Sequence, residues 1–407
     1  MSTKPVVRFL DRTTPPHIIT LILLAGLSAL SMNVFLPSLP NMTAYFQTDY
    51  RLMQLSVALY LAVNAALQIV VGPISDRYGR RPVILWGTVL FIIASVGCVF
   101  APTVEVFLTF RMAQAAIVTG MVLSRAVVRD MVPMEEAASM LGYVTMGMAL
   151  VPMLSPLVGG VLDTYLGWQS NFWLMALLGV GLFWLVWVDL GETATQRSTS
   201  MAQQMRQYPD LLVSQRFWGY CLTAAFTSGS FFAYLGGAPF VGETVFGLSS
   251  IWLGFSFGAP AVGYFLGNFL SGRMSVRIGI NRMLLWGASL SAAGLGGALI
   301  LFYAGLSSPI LFFGSMTFVG LGNGMVLPNA NAGMLSVRPH LAGSAAGLGG
   351  AIMIGGGAAL SALAGVMLTA ETGAFPLMWI MFLSSASGVL SMLFVLYRER
   401  RLAGLDL

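Results

Sequence analysis

Gly72-Pro73-Ile74-Ser75-Asp76-Arg77-Tyr78-Gly79-Arg80-Arg81-Pro82 is a dense charged stretch between two long apolar runs. From Ile18 up to it the chain carries only Asp49 and Arg51 as charges, and beyond it none until Glu105. A turn flanked by segments of membrane-crossing length lies at a membrane surface. Its two glycines and two prolines suit a tight helix–turn–helix.

The composition agrees. Of 407 residues, 57% are hydrophobic and 9% charged, where a soluble globular domain carries about 25% charged residues. That deficit makes the chain a polytopic membrane protein. The net charge of +5 is spread over separate short loops, which argues against a nucleic-acid face. Cys98 and Cys221 lie far apart in apolar runs, so neither a disulfide framework nor a metal site is expected, and no cofactor is implied. Lys4, Arg8 and Arg12 before an apolar run could mimic a signal peptide. No small-residue cleavage site followed by a soluble domain appears, and the run is read as an uncleaved first span.

A span needs about 20 apolar residues. Twelve candidates fit: 18–38, 52–73, 83–101, 105–127, 138–162, 168–189, 217–238, 250–271, 283–304, 309–331, 341–368 and 374–397. Their long continuous apolar runs exclude an outer-membrane barrel. With both termini in the cytoplasm, all but two of the 20 basic residues fall on the cytoplasmic side, the exceptions being Arg51 and Arg111. A shift of 200 residues aligns Gly72 with Gly272, Ser75 with Ser275, Arg77 with Arg277, Gly79 with Gly279, and Leu85-Trp86-Gly87 with Leu285-Trp286-Gly287. An even number of spans separates the copies, so the repeat is parallel. The expected fold is therefore all-α, with twelve transmembrane helices in two six-helix pseudo-repeats. Residues 1–190 form the first half, 191–216 a cytoplasmic linker and 217–407 the second half. Two such halves around a midplane cavity are a transporter design.

The charged stretch resembles the G-x-x-x-D-R-x-G-R-R loop signature of the major facilitator superfamily. Arg111-Met112-Ala113-Gln114 is similar to that family's R-x-x-Q-G motif, with Ala115 in place of glycine. Pro152-Met153-Leu154-Ser155-Pro156-Leu157-Val158-Gly159-Gly160 resembles the antiporter motif of drug exporters. Phe35-Leu36-Pro37-Ser38-Leu39-Pro40 and the run Arg129-Asp130 with Pro133, Glu135 and Glu136 resemble the Bcr/CflA group of drug–proton antiporters, a multidrug-resistance group. The resemblance implies an efflux antiporter of a bacterial-type inner membrane, working by alternating access on a small molecule, with protons as coupling ion. It is expected to function as a monomer in the lipid bilayer.

Each motif also has a plain physical reading. Gly72, Asp76, Arg77, Gly79, Arg80 and Arg81 anchor topology whatever else they do. The resemblance adds a cytoplasmic latch, in which Asp76 sits near the start of the eleventh span and Arg80 pairs with Asp130. Arg111 is the one charge inside a span, and an intramembrane arginine faces the bundle interior. Gln114 shares its face. In the fifth span Pro152 and Pro156 bend the helix, and Gly159 and Gly160 allow close packing, expected against the eighth span at Gly254, Gly258, Gly263 and Gly267.

Polar and aromatic positions near mid-span are candidate cavity residues for substrate binding or coupling. In the first half these are Asn33, Tyr60, Asn64, Gln68, Arg111, Gln114 and Tyr143; in the second, Phe232, Tyr234, Asn268, Asn323 and Asn329. The Bcr/CflA pattern usually has aspartate where this chain has Asn33. Either Asp130 or Asp163 carries the proton instead, or Asn33 mimics the neutral carboxyl, or the solute is an anionic or zwitterionic metabolite carried without protonation in the first span. No nucleophile motif, metal set or phosphate loop points to an enzyme or an ATP-driven pump.

Overall fold

The structure is a computed structural model that describes residues 7–131, 140, 144, 151, 154–194, 211–337 and 342–402; all the regular structure among them is helical. Ten of the described helices are long and apolar enough to cross a membrane. Two further span positions complete the twelve. One is the fifth span, described as helix over 154–166. The other is the seventh, Gln215–Phe240, a 26-residue helix interrupted by Gly, Ser and Thr and buried along most of its length. It faces protein rather than lipid, so its polar residues cost little.

The charged stretch is tighter than a loop. The second span, Tyr50–Tyr78, runs straight through Pro73, and the third, Arg80–Val99, starts two residues later. Gly79 alone makes the turn, at φ 100°, a conformation that a Cβ disfavours. Pro82 falls in the first helical turn, where no N–H is needed. Gly279 repeats this at φ 90° between the eighth and ninth spans, so the 200-residue repeat holds at the level of backbone geometry. Trp86 and Trp286, related by the same shift, both present exposed rings.

Two compact units emerge, Met1–Thr48 with Ala66–Met201, and Asp49–Ala65 with Ala202–Leu407. The N-terminal part of the second span, Asp49–Ala65, thus groups with the second unit. Its side chains explain why. Tyr50 Oη donates to the Gly236 carbonyl at 2.8 Å, and Gln54 Nε2 donates to the Ser361 carbonyl and to its Oγ at 2.8 Å. A Cβ at Gly236 or Gly365 would overlap the Gln54 amide.

Close helix packing elsewhere rests on glycine. Between the eighth span (Ser250–Ser256 and Gly258–Ile278) and the tenth (Pro309–Val337), Gly263 lies on the Thr317 carbonyl and Gly320 on the Pro260 carbonyl, with no room for a Cβ at either. The expected partner for Gly263 and Gly267 was the fifth span. Instead both face the tenth, while Gly159 of the fifth sits on the Val34 carbonyl of the first. Backbone-to-backbone approach is how helices associate where apolar burial gives no drive. Gly320→Ala should lower stability in detergent by about 1–3 kcal/mol, because backbone must move. Gly297→Ala, where nothing lies within 4 Å, should leave the melting curve unchanged.

Candidate functional site

Two polar clusters stand out in the first unit. The first centres on Arg111, which closes the helix Val104–Ala113 just before a 3-10 turn at Gln114–Ile117. Such a mid-span change of helix type often marks a functional position. Arg111 is 1% exposed. Its Nη1 donates to Gln114 Oε1 at 2.7 Å and its Nη2 to the Ser31 carbonyl at 2.8 Å. The guanidinium lies 4.3 Å from the centre of the Phe35 ring, a cation–π geometry strengthened by dehydration. Gln114 Nε2 passes the network on to Ser95 Oγ at 2.8 Å.

The first span explains why a carbonyl is available there. Its regular helix stops at Asn33, and a 3-10 turn follows over Leu36–Ser38 with Pro37 inside it. Carbonyls of a last turn need outside donors, and Arg111 supplies one. Asn33 is buried at the same helix end. Its Nδ2 donates to the Ala29 carbonyl at 2.7 Å, and its Oδ1 has no partner among the described residues.

The second cluster is the charged turn. Arg80 Nη1 lies 2.5 Å from Asp76 Oδ1, one helical turn away, and Arg80 Nε lies 3.2 Å from Asp130 Oδ2 at the end of the fourth span. Arg80 also donates to Ser75 Oγ. Arg81 Nε donates to the Leu190 carbonyl at 2.8 Å and its guanidinium lies 4.9 Å over the Trp187 ring. Arg77 lies 5.3 Å over its neighbour Tyr78. The position expected opposite Asp76, Leu341 to Ser344 at the start of the eleventh span, begins outside the described residues.

Sequence reading overlooked Glu192. Its carboxylate accepts from the Arg80 and Arg81 amides at 2.8 and 3.3 Å, and from the Thr193 and Ala194 amides at 3.1 and 3.0 Å. It therefore caps the N-terminus of the third span, where helix dipole and free N–H groups favour an anion. Thr193 Oγ1 reaches Asp130 Oδ2 at 3.3 Å. Asp189 was also overlooked. It is fully buried and accepts from the Leu10 amide (2.8 Å), the His17 amide (2.9 Å) and Thr20 Oγ1 (2.6 Å), which ties the N-terminal segment to the end of the sixth span. The cue for both was an acid at the end of an apolar run, and many exposed loop acids give the same cue.

The remaining predicted residues are dispersed. Tyr60 and Asn64 are buried in the part of the second span that belongs to the second unit; Gln68 is half-buried in the part that belongs to the first. Asn268 donates to its own helix at Tyr264, and Asn329 ties the tenth span to Ser271 at 2.8 Å. Asn323 Nδ2 donates to the Thr227 carbonyl at 3.2 Å. Phe232 packs on Gly357. Gly72 is an ordinary helical position with open space beside it. Pro156 and Gly160 are buried in the fifth span; Pro152 and Tyr143 lie outside the described residues. Asp163 is 5% exposed, near the C-terminal end of the fifth span, and accepts from Asn41 Nδ2 at 2.6 Å.

The Arg111 cluster has a testable signature. Arg111→Lys keeps the charge but cannot make the forked pair of bonds. It should weaken transport strongly and lower stability by about 1.5–3 kcal/mol, the worth of a charged hydrogen bond. Circular dichroism melts and transport on one preparation check both.

Residues 21–362 match the Major Facilitator Superfamily. A chloramphenicol resistance protein of Pseudomonas aeruginosa is 31% identical over 329 residues, covering 78% of this chain and 76% of its own. A bicyclomycin resistance protein homolog of Haemophilus influenzae is 25% identical over 363 residues, covering 88% and 90%. The crystal structure of a peptide transporter, POT, in complex with sulfate superposes with TM-score 0.76 at 16% identity, over 96% of each chain, a likeness of fold. The chain belongs to the Major Facilitator Superfamily: it is a multi-pass membrane transporter of small molecules and not an enzyme.

Proposed function

We propose that this transporter exports a small, drug-like molecule across a bacterial inner membrane, in exchange for protons, by alternating access. What carries this reading is the relationship to resistance proteins over most of the chain. Both termini face the cytoplasm, which puts the Arg80 clasp on Asp76 and Asp130 at the cytoplasmic mouth. The clasp is a latch of charge-assisted hydrogen bonds, and Glu192 holds its backbone. The protein works as a monomer.

Arg111 sits at the centre of the substrate path in this reading, with Gln114 and Asn33 beside it on the first and fourth spans. Asn33 cannot take a proton. Asp163, buried beside Asn41 in the antiporter-motif helix, is better placed for that task than Asp130, which is already committed to Arg80. A carboxylate can take up and release a proton, which the Asn33 amide cannot.

A second reading is favoured by the same pair of residues. Arg111 is a buried cation held by Ser31, Gln114 and Phe35, and the first span offers an amide instead of a carboxylate. Such a site suits an anionic or zwitterionic metabolite. Uptake into proteoliposomes with and without an imposed pH gradient separates the two. Export predicts gradient-driven chloramphenicol movement that Arg111→Ala abolishes and Asp163→Asn uncouples. If the gradient drives nothing in the wild type but drives Asn33→Asp, the metabolite reading stands.

A further inference from the structure

Tyr234, on the seventh span, is fully buried in a box of aromatic rings. Its ring centre lies 5.0 Å from that of Phe257 and 6.3 Å from those of Phe231 and Phe313, stacked at 28° on Phe231 and nearly edge-on to Phe313 at 77°. These are favourable aromatic geometries. The hydroxyl, however, has no hydrogen-bond partner among the described residues. A buried hydroxyl left unpaired is penalised, and phenylalanine would fill the same box without that penalty. Among the described residues nothing pairs with the tyrosine oxygen, which leaves it open to a group from outside them.

The surroundings narrow what that group is. The wall is made of rings and carries no charge, so it favours a flat aromatic body over a hydrated ion or a sugar. The helix is also weakened beside the box. Gly236 and Gly237 follow within three residues, and Pro239 lies inside the helix, where its missing N–H deprives the Leu235 carbonyl of its ladder bond. Pro239 thus leaves the seventh span one ladder bond short beside the box.

We propose that Tyr234 Oη is the hydrogen-bonding point of a substrate subsite for small aromatic molecules carrying a hydroxyl, carbonyl or nitro oxygen, with Phe231, Phe257 and Phe313 as its apolar wall. The subsite rests on the export reading and names the chemistry of its substrate.

The test compares wild type with Tyr234→Phe, purified in nanodiscs, by calorimetric binding of two probes. Chloramphenicol is aromatic and rich in oxygen; tetraphenylphosphonium is aromatic without any hydrogen-bonding group. The variant should bind chloramphenicol about tenfold more weakly and tetraphenylphosphonium as the wild type does. Its melting temperature without ligand should be unchanged or higher, since no internal bond is lost. Equal binding of both probes by variant and wild type overturns the subsite alone. So does a variant that melts lower and binds both probes more weakly to the same degree, which marks a purely structural tyrosine. A wild type that binds neither probe overturns the export reading and the subsite together.

Discussion

Hydrocarbon accepts no unpaired backbone group, and most of this architecture follows from that constraint. Each span is helical so that its N–H and C=O groups are satisfied internally. Where a helix breaks inside the bundle, a side chain takes over. The first span stops at Asn33, and Arg111 reaches across from the fourth to bind the Ser31 carbonyl. At two of the turns between spans the break is held to one residue. Gly79 and Gly279 reverse the chain between spans with positive φ, and Glu192 caps the amides exposed at the first of these turns.

The same constraint sets how helices meet. Lipid tails are as apolar as leucine, so burial alone does not assemble the spans. Contact comes from backbone approach at glycine: Gly159 on Val34, Gly263 on Thr317, Gly320 on Pro260. Polar clasps then fix particular partners. Gln54, gripped between Gly236 and Gly365, assigns half of the second span to the second unit. Asp189 assigns the N-terminal segment to the sixth span. Glycine seams permit sliding and bending, whereas these clasps are discrete and either made or broken.

Much of this was legible in the residues. Charge scarcity, apolar length and the distribution of arginines gave the membrane class and the spans. The 200-residue shift gave the repeat, and its two glycines turn alike. Arg111 was visible because a charge in an apolar run has few reasons to be there. Gln54, Glu192 and Asp189 were not visible. An amide or an acid near a span end is common, and only its neighbours in space distinguish a clasp from a solvated loop residue. That Gly263 and Gly267 pack on the tenth span was not visible for a related reason, since a glycine tells that something comes close but not what.

The sequence by itself determined the number of spans, their repeat, the charged turn and the family, because these depend on one-dimensional quantities: hydropathy, spacing and motif. Only the tertiary structure decided which helix meets which glycine, that Arg111 rests on Ser31 and Phe35, and that Tyr234 is buried with a hydroxyl unpartnered among the described residues. Those facts depend on distances between residues far apart in the chain. No local pattern encodes such distances, because packing, not periodicity, sets them.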